Sequence, residues 1–140
     1  MVCKIDREFR LLVADDDPGF RETVTDFLQP HYETIAVGSG EEAIEVVERR
    51  TIHLVLADVH MHHLSGVDTV RIVRSMQDEL PCILITSDVS EGIVESARDE
   101  GAYAVLRKPP QRRHLLSTIT SALEESYGEL FDRKNVSPDD

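Results

Sequence analysis

The stretch Leu11-Leu-Val-Ala-Asp-Asp-Asp-Pro18 joins a short apolar run to an acidic cluster and then to the start of a helix. The apolar run has the length and flanks of a buried strand. Asp17 is a typical helix-capping residue, and Pro18 suits the first position of a helix, where no main-chain N–H is needed. The stretch therefore predicts a strand that ends in carboxylates and leads directly into a helix.

The same alternation of strand and helix repeats along the rest of the chain. Segments whose apolar residues have helical spacing separate the apolar runs, and Ser39 and Ser90 are suited to cap two of these helices. Repeated strand–helix units with short connections predict a parallel sheet covered by helices on both faces, with its ligand site at the carboxyl ends of the strands. The further predicted strands are Tyr32–Val37, Ile52–Ala57, Pro81–Ile85 and Ala102–Leu106.

Length and composition predict one folded domain with polar ends. A chain of 140 residues has the size of a single domain. We predict a flexible N-terminus at residues 1–8, the domain at residues 9–127, and a polar tail or the start of a linker at residues 128–140.

Charge and apolar content exclude several function classes. The chain has 15 Lys and Arg against 27 Asp and Glu, a formal net charge of −12, which argues against direct binding to nucleic acid or to anionic membranes. No segment approaches the roughly 20 apolar residues that cross a bilayer. Cys3 and Cys82 lack metal-site spacing and are predicted to be free thiols in a reducing cytoplasm.

Side chains that can carry chemistry lie at the ends of four predicted strands. We expect them to converge, because the carboxyl ends of parallel strands meet at one edge of the sheet. Three crowded carboxylates would repel one another unless a hard divalent cation joined them, and Mg²⁺, for which Mn²⁺ could substitute, prefers such oxygen ligands. A lysine and a hydroxyl could then contact a phosphoryl group. The residues are Asp15, Asp16, Asp58, Thr86 and Lys108.

These motifs resemble the receiver domain family of response regulators, roughly from Phe9 to Tyr127. The resemblance implies a CheY-like, flavodoxin-like three-layer α/β fold: a five-stranded parallel sheet in the order 2-1-3-4-5 with five helices. Its last strand would lead into a Lys-Pro cis peptide. The matching motifs are Leu11–Pro18 with the acidic pair, Leu54–Asp58 with the phosphoacceptor, Gly66, Ile83–Ser87 with the switch hydroxyl, and Lys108-Pro109.

The resemblance also implies a role for each site residue. Asp58 is expected to be the phosphoacceptor, with Thr86 and Lys108 in contact with the phosphoryl group. Asp58 is also expected to bind Mg²⁺ together with Asp16 directly, Asp15 through water, and His60 through its main-chain carbonyl oxygen. His60 and Asp88 are expected to flank the acyl phosphate and to tune its hydrolysis.

The function implied by the resemblance is that of a switch in phosphorelay signal transduction. The phosphodonor would be a histidine kinase or a phosphotransfer protein, and the domain would catalyse only its own phosphorylation and dephosphorylation. Phosphorylation would repack the face formed by helix 4, strand 5 and helix 5, which would bind a downstream output protein or domain. We expect a monomer or a dimer promoted by phosphorylation.

Departures from the family pattern leave alternatives open. His62 stands where the family usually has Pro, and Val105 where it usually has Tyr or Phe, which motivates a phosphorylation-independent pseudo-receiver that serves as a protein-binding platform. His60, His62 and His63 motivate a transition-metal site, although neighbouring side chains of a loop diverge. An aspartyl-nucleophile phosphatase would want a general acid where this chain has His60.

Overall fold

A computed structural model of the protein describes residues 6–135, and the side chains of residues 9–128. The five strands are parallel and lie in the order β2-β1-β3-β4-β5. The predicted flavodoxin-like fold is therefore confirmed. In chain order the elements are β1 (Asp6–Ala14), α1 (Pro18–Leu28), β2 (Tyr32–Val37), α2 (Gly40–Arg49), β3 (Leu54–Asp58), α3 (Gly66–Met76), β4 (Cys82–Thr86), α4 (Glu91–Asp99), β5 (Ala104–Arg107) and α5 (Arg112–Asn135).

The sheet separates two apolar cores. Successive side chains of a strand point to opposite faces, so Leu11 and Val13 pack towards α1 and α5, whereas Leu12 and Ala14 pack towards α2, α3 and α4. Every residue of β3 and β4 is buried, because helices cover both faces of these strands. This double cover leaves the ends of the strands as the place where polar side chains can gather.

Capping residues fix the start of the helices beside that edge. The carboxylate of Asp17 accepts hydrogen bonds from the main-chain N–H groups of Gly19 and Phe20, as predicted for a helix cap. Ser39 caps α2, and Glu42 returns a bond to the N–H of Gly38, which completes the predicted capping box. These caps satisfy N–H groups that have no partner inside the helix.

Several strand boundaries differ from those predicted. Strand β1 begins at Asp6, with an irregular register between Asp6 and Arg10, so residues 6–8 of the predicted N-terminal segment lie in this strand. Residues 1–5, including Cys3, lie outside the described residues, whereas Cys82 is a buried free thiol. At their carboxyl ends β3, β4 and β5 each run one residue beyond the predicted boundary, because ladder pairing with a neighbouring strand continues that far. These strands begin one or two residues later than predicted, at Leu54, Cys82 and Ala104.

The last helix extends beyond residue 127, where we predicted the domain to end. Helix α5 continues to Asn135, with a break at Gly128, whose φ of 44° is readily adopted only by glycine. The following residues include Glu, Leu, Arg and Lys, which are good helix formers. Residues 136–140 lie outside the described residues. Within residues 6–135, none of the helices is both long and apolar enough to cross a membrane.

Gly66 allows α3 to start directly against the end of β3. A Cβ atom at this position would clash with the main-chain oxygen of Asp58 and lie 2.9 Å from the Cα of Val59. Gly66→Ala is therefore expected to lower the free energy of unfolding by about 1–3 kcal/mol, as overpacking does. Urea unfolding followed by circular dichroism measures the change. Gly92→Ala is the matched control, since a Cβ at Gly92 meets no atom within 4 Å; equal losses in both variants would contradict the prediction.

Candidate functional site

The predicted convergence at the carboxyl edge of the sheet is present in the structure. Asp15 directly follows β1, Asp58 is the last residue of β3, and Lys108 directly follows β5. The Nζ atom of Lys108 lies 3.1 Å from Oδ2 of Asp15 and 3.1 Å from Oδ2 of Asp58. One ammonium group thus bridges carboxylates from two adjacent strands.

Asp15, Asp16 and Asp58 form an acidic pocket that fits a hard divalent cation. Each offers a carboxylate oxygen, and these three oxygens lie within 4.8 Å of one another. Asp15 is 2% exposed and Asp58 6% exposed, so water screens their repulsion poorly. Oxygen ligands at this spacing are the kind that Mg²⁺ or Mn²⁺ binds.

The histidines of the following loop do not assemble a transition-metal site. Among the described residues, the group of side chains close enough to hold a metal is made of the three aspartates and contains no histidine. The side chain of His62 is 87% exposed, and its Nδ1 atom contacts the carboxylate of Asp16. The hypothesis of a histidine metal site thus finds no support in the arrangement of this loop.

The surroundings of Asp15 disfavour the ionised form of its carboxyl group. Burial raises the pKa of its carboxyl group above the ordinary value, and repulsion from Asp58 raises it further. A hydrogen bond from the main-chain N–H of Asp17 and the neighbouring Lys108 act in the opposite direction without cancelling the rise. The ionised carboxylate therefore destabilises the fold at neutral pH.

Asp15→Asn is accordingly expected to stabilise the metal-free protein. In EDTA near pH 7 we expect a gain of about 0.5–2 kcal/mol in the free energy of unfolding, the usual range for optimising a charge. The gain should disappear as the pH falls through the pKa of Asp15, because the wild-type carboxyl group is then also neutral. Urea unfolding at several pH values measures this. Asp26→Asn, which removes an exposed charge, is the control; the same gain there would indicate a general charge effect.

Lys108 remains charged because of its partners. Burial lowers the pKa of its ammonium group, but the hydrogen bonds and the attraction that it gains from Asp58 and Asp15 outweigh burial and raise the pKa above the ordinary value. The Nζ atom also lies 4.1 Å from the centre of the Phe20 ring, in a cation–π contact. Phe20 was not among the predicted site residues, although its position in the first turn of α1 after Asp17 puts it beside this edge.

The hydroxyl group of Thr86 is engaged in a local turn. It accepts a hydrogen bond from the main-chain N–H of Asp88, at 3.0 Å, and donates to the carbonyl oxygen of the same residue, at 3.3 Å. Thr86 is fully buried, whereas Asp88 is exposed. The structure thus places the hydroxyl at the predicted edge of the sheet, and its contact with a phosphoryl group stays a prediction.

The loop after β3 turns two main-chain donors towards the aspartates. The N–H of His60 donates to Oδ1 of Asp58, at 3.3 Å, so His60 lies beside Asp58, and the role of its carbonyl oxygen stays a prediction. The N–H of His62 donates to Oδ2 of Asp16, at 3.0 Å, and its Nδ1 lies 2.6 Å from the same oxygen. Desolvation raises the pKa of Asp16, but these two bonds outweigh it and hold that pKa below its ordinary value.

The chain is similar in sequence to curated proteins and in fold to solved structures. The chain is 30% identical over 124 residues to the transcriptional regulatory protein GlrR of Escherichia coli, a match that covers 88% of this chain and 28% of GlrR. Among solved structures, the chemotaxis protein CheY4 of Vibrio cholerae is 26% identical with a TM-score of 0.78, covering 81% of this chain and 98% of that one. A CheY-like receiver domain protein from Methanospirillum hungatei is 24% identical with a TM-score of 0.83, covering 86% and 98% of the two chains.

A family model matches most of the chain. The model that describes the response regulator receiver domain covers residues 11–120, which include each of the predicted site residues. The strand order and the acidic pocket agree with this match. The chain therefore belongs to the response regulator receiver domain family.

Proposed function

We propose that the domain accepts a phosphoryl group on Asp58 from a histidine kinase or a phosphotransfer protein and thereby switches a partner-binding face. The observation that carries this proposal is the contact of Lys108 with both Asp15 and Asp58 beside a third carboxylate, Asp16. The lysine can bind an anionic group, and the carboxylates beside it can bind a cation that accompanies this group. A phosphoryl group with Mg²⁺ has that charge pattern.

The transfer requires little from the protein beyond position and charge. A carboxylate oxygen of Asp58 attacks phosphorus while the bond from phosphorus to the donor imidazole breaks, and the departing nitrogen keeps the electron pair. The product on Asp58 is an acyl phosphate. Lys108 stabilises the charge of the phosphoryl oxygens, and it can do so throughout because its partners keep it protonated.

The acidic pocket would hold the metal. Asp16 and Asp58 are proposed as direct ligands, Asp15 as a ligand through water, and His60 as a ligand through its carbonyl oxygen. Bound Mg²⁺, or Mn²⁺ in its place, would supply neutralising charge for the phosphoryl oxygens. Three carboxylates and one lysine leave the pocket with an excess of negative charge, which is what such a cation requires.

The switch and its reset follow from the added charge. A phosphoryl group brings about −1.5 to −2 charges and three acceptor oxygens. The Thr86 hydroxyl would exchange its bonds with Asp88 for one of these oxygens, and that exchange would move the loop that leads into α4. We propose that the face of α4, β5 and α5 then binds an output protein or domain, or a second copy of the chain. Attack of water on the acyl phosphate, tuned by His60 and Asp88, would reset the domain.

We also propose where the domain acts and which partners it excludes. The domain would act in the cytoplasm, where its phosphodonor would be located, and its net charge of −12 argues against direct contact with nucleic acid or with a membrane. It would catalyse its own modification and no reaction on another substrate. GlrR is longer than this chain, which spans 28% of its length, so an output domain is one candidate partner.

Intact mass after incubation with Mg²⁺ and acetyl phosphate tests the proposal. We expect a phosphoryl adduct that is absent when EDTA is added. Reduction with borohydride followed by peptide mapping should place it at Asp58, because this treatment converts an aspartyl phosphate to homoserine. An adduct that forms equally in EDTA, or that maps elsewhere, would contradict the proposal. Folded protein that binds Mg²⁺ but forms no adduct would favour a phosphorylation-independent pseudo-receiver, the alternative motivated by His62 and Val105.

A further inference from the structure

His62 contacts the acidic pocket through both its main chain and its side chain. Two donors of the same residue, the main-chain N–H and Nδ1, meet one oxygen of Asp16, at 3.0 Å and 2.6 Å. The two residues are 46 positions apart, so the contact joins the loop after β3 to the loop after β1. The side chain of His62 is 87% exposed, and packing therefore does not hold it in place.

This geometry makes the imidazole an outer partner of the pocket and not a ligand in it. The metal-binding group of the described residues contains the three aspartates without His62. Because an ionised carboxylate only accepts hydrogen bonds, we assign the proton of this contact to Nδ1, which then has no lone pair left for a cation. A carboxylate that binds a metal is commonly held by such an outer hydrogen bond, which orients it.

We propose that His62 is a positioning residue for the metal site: by donating twice to Oδ2 of Asp16 it fixes that carboxylate and leaves the second oxygen to the cation. The inference rests on the proposed function for the identity of the cation as Mg²⁺. A carboxylate already held in one orientation loses less freedom when it binds the ion.

A set of substitutions at this position separates the side chain from the main chain. His62→Ala removes only the imidazole and is expected to weaken Mg²⁺ binding about tenfold, at the low end of the range for outer partners because the bond is exposed. His62→Asn should keep affinity near that of the wild type, since the Asn amide nitrogen reaches a position like that of Nδ1. If His62 served only to stabilise the loop, His62→Asn would not restore the affinity for Mg²⁺.

His63 offers the matched control. It is the neighbouring histidine, and its φ of 68° lies in the left-handed region, where Asn is tolerated better than Ala. His63→Asn therefore removes an imidazole from the same loop without straining the backbone, and its affinity for Mg²⁺ should equal that of the wild type. The protein has no Trp, so fluorescence quenching is not the method of choice. Isothermal titration with Mg²⁺, and loss of the sharp electron paramagnetic resonance spectrum of unbound Mn²⁺, measure binding at one fixed pH.

The outcomes distinguish this inference from the proposed function. If His62→Ala bound Mg²⁺ as tightly as the wild type, while Asp16→Asn lost binding and the wild type formed the phosphoryl adduct, the inference would be wrong. The proposed function would stand. Direct ¹⁴N coupling of bound Mn²⁺ to the His62 imidazole in pulsed electron paramagnetic resonance would overturn it too, by making the imidazole a ligand. A wild-type protein that bound neither cation and formed no adduct would remove both proposals. Weaker binding in His62→Ala with recovery in His62→Asn supports the inference.

Discussion

Asp58→Asn is expected to abolish the phosphoryl adduct at this position completely. An amide has no carboxylate oxygen that can form an acyl phosphate, and the neighbouring Asp15 and Asp16 follow a different strand. Asn has nearly the shape of Asp, so the buried end of β3 should keep its packing. Removing one of three crowded charges should leave the fold at least as stable in EDTA, because Lys108 keeps Asp15 as a partner. Intact mass with acetyl phosphate and urea unfolding measure the two effects.

Asp17→Asn is the matched control for this substitution. Asp17 follows the acidic pair and caps α1, and Asn is as good a capping residue as Asp. This variant loses one carboxylate from the same acidic cluster and should still form the adduct. An adduct of unchanged yield in Asp58→Asn would mean that another side chain is modified, and the proposed phosphoacceptor would be wrong.

Lys108→Met is expected to slow phosphorylation by about 10²–10³-fold, the usual effect of removing a preorganised group that stabilises charge. Met keeps most of the apolar stem but has no charge for the phosphoryl oxygens. The substitution also leaves Asp15 and Asp58 without their ion pair, so the metal-free protein should lose stability. The initial rate of adduct formation at saturating Mg²⁺ measures the chemical effect separately from metal affinity.

Arg107→Met serves as the control for Lys108. Arg107 is the exposed last residue of β5, adjacent to Lys108 in the chain, and its loss changes the net charge by the same amount. Its rate of phosphorylation should stay near that of the wild type. A similar loss in both variants would indicate that the general charge of this edge matters and that the contact between Lys108 and the carboxylates does not.

The sequence predicted the fold because local and long-range signals agree. Apolar runs, helical spacing and caps gave the five strand–helix units, and the parallel sheet follows from their alternation. The separation of Asp17 from Asp15 and Asp16 was also correct, since Pro18 marks Asp17 as the cap. The convergence of Asp58 and Lys108 could be predicted because the fold itself brings the carboxyl ends of parallel strands together.

What the sequence did not predict depends on contacts between distant segments. Each strand end that runs one residue further is set by pairing with a neighbour, which a single run of apolar residues does not reveal. The break at Gly128 looked like the end of α5 because glycine is typical of helix ends. The direction of an exposed side chain such as His62, and the ring of Phe20 over Lys108, follow from loop geometry and not from residue spacing.

The position of Lys108 in the chain has a consequence for the order of folding. Its contact with Asp58 spans 50 residues and comes from the turn after the last strand. A nascent chain that ends at β4 already contains the three acidic side chains but lacks the ammonium group that lies between two of them. Charge neutralisation by Lys108 therefore requires that β5 has docked beside β4, and contacts of such long range are the ones that slow folding.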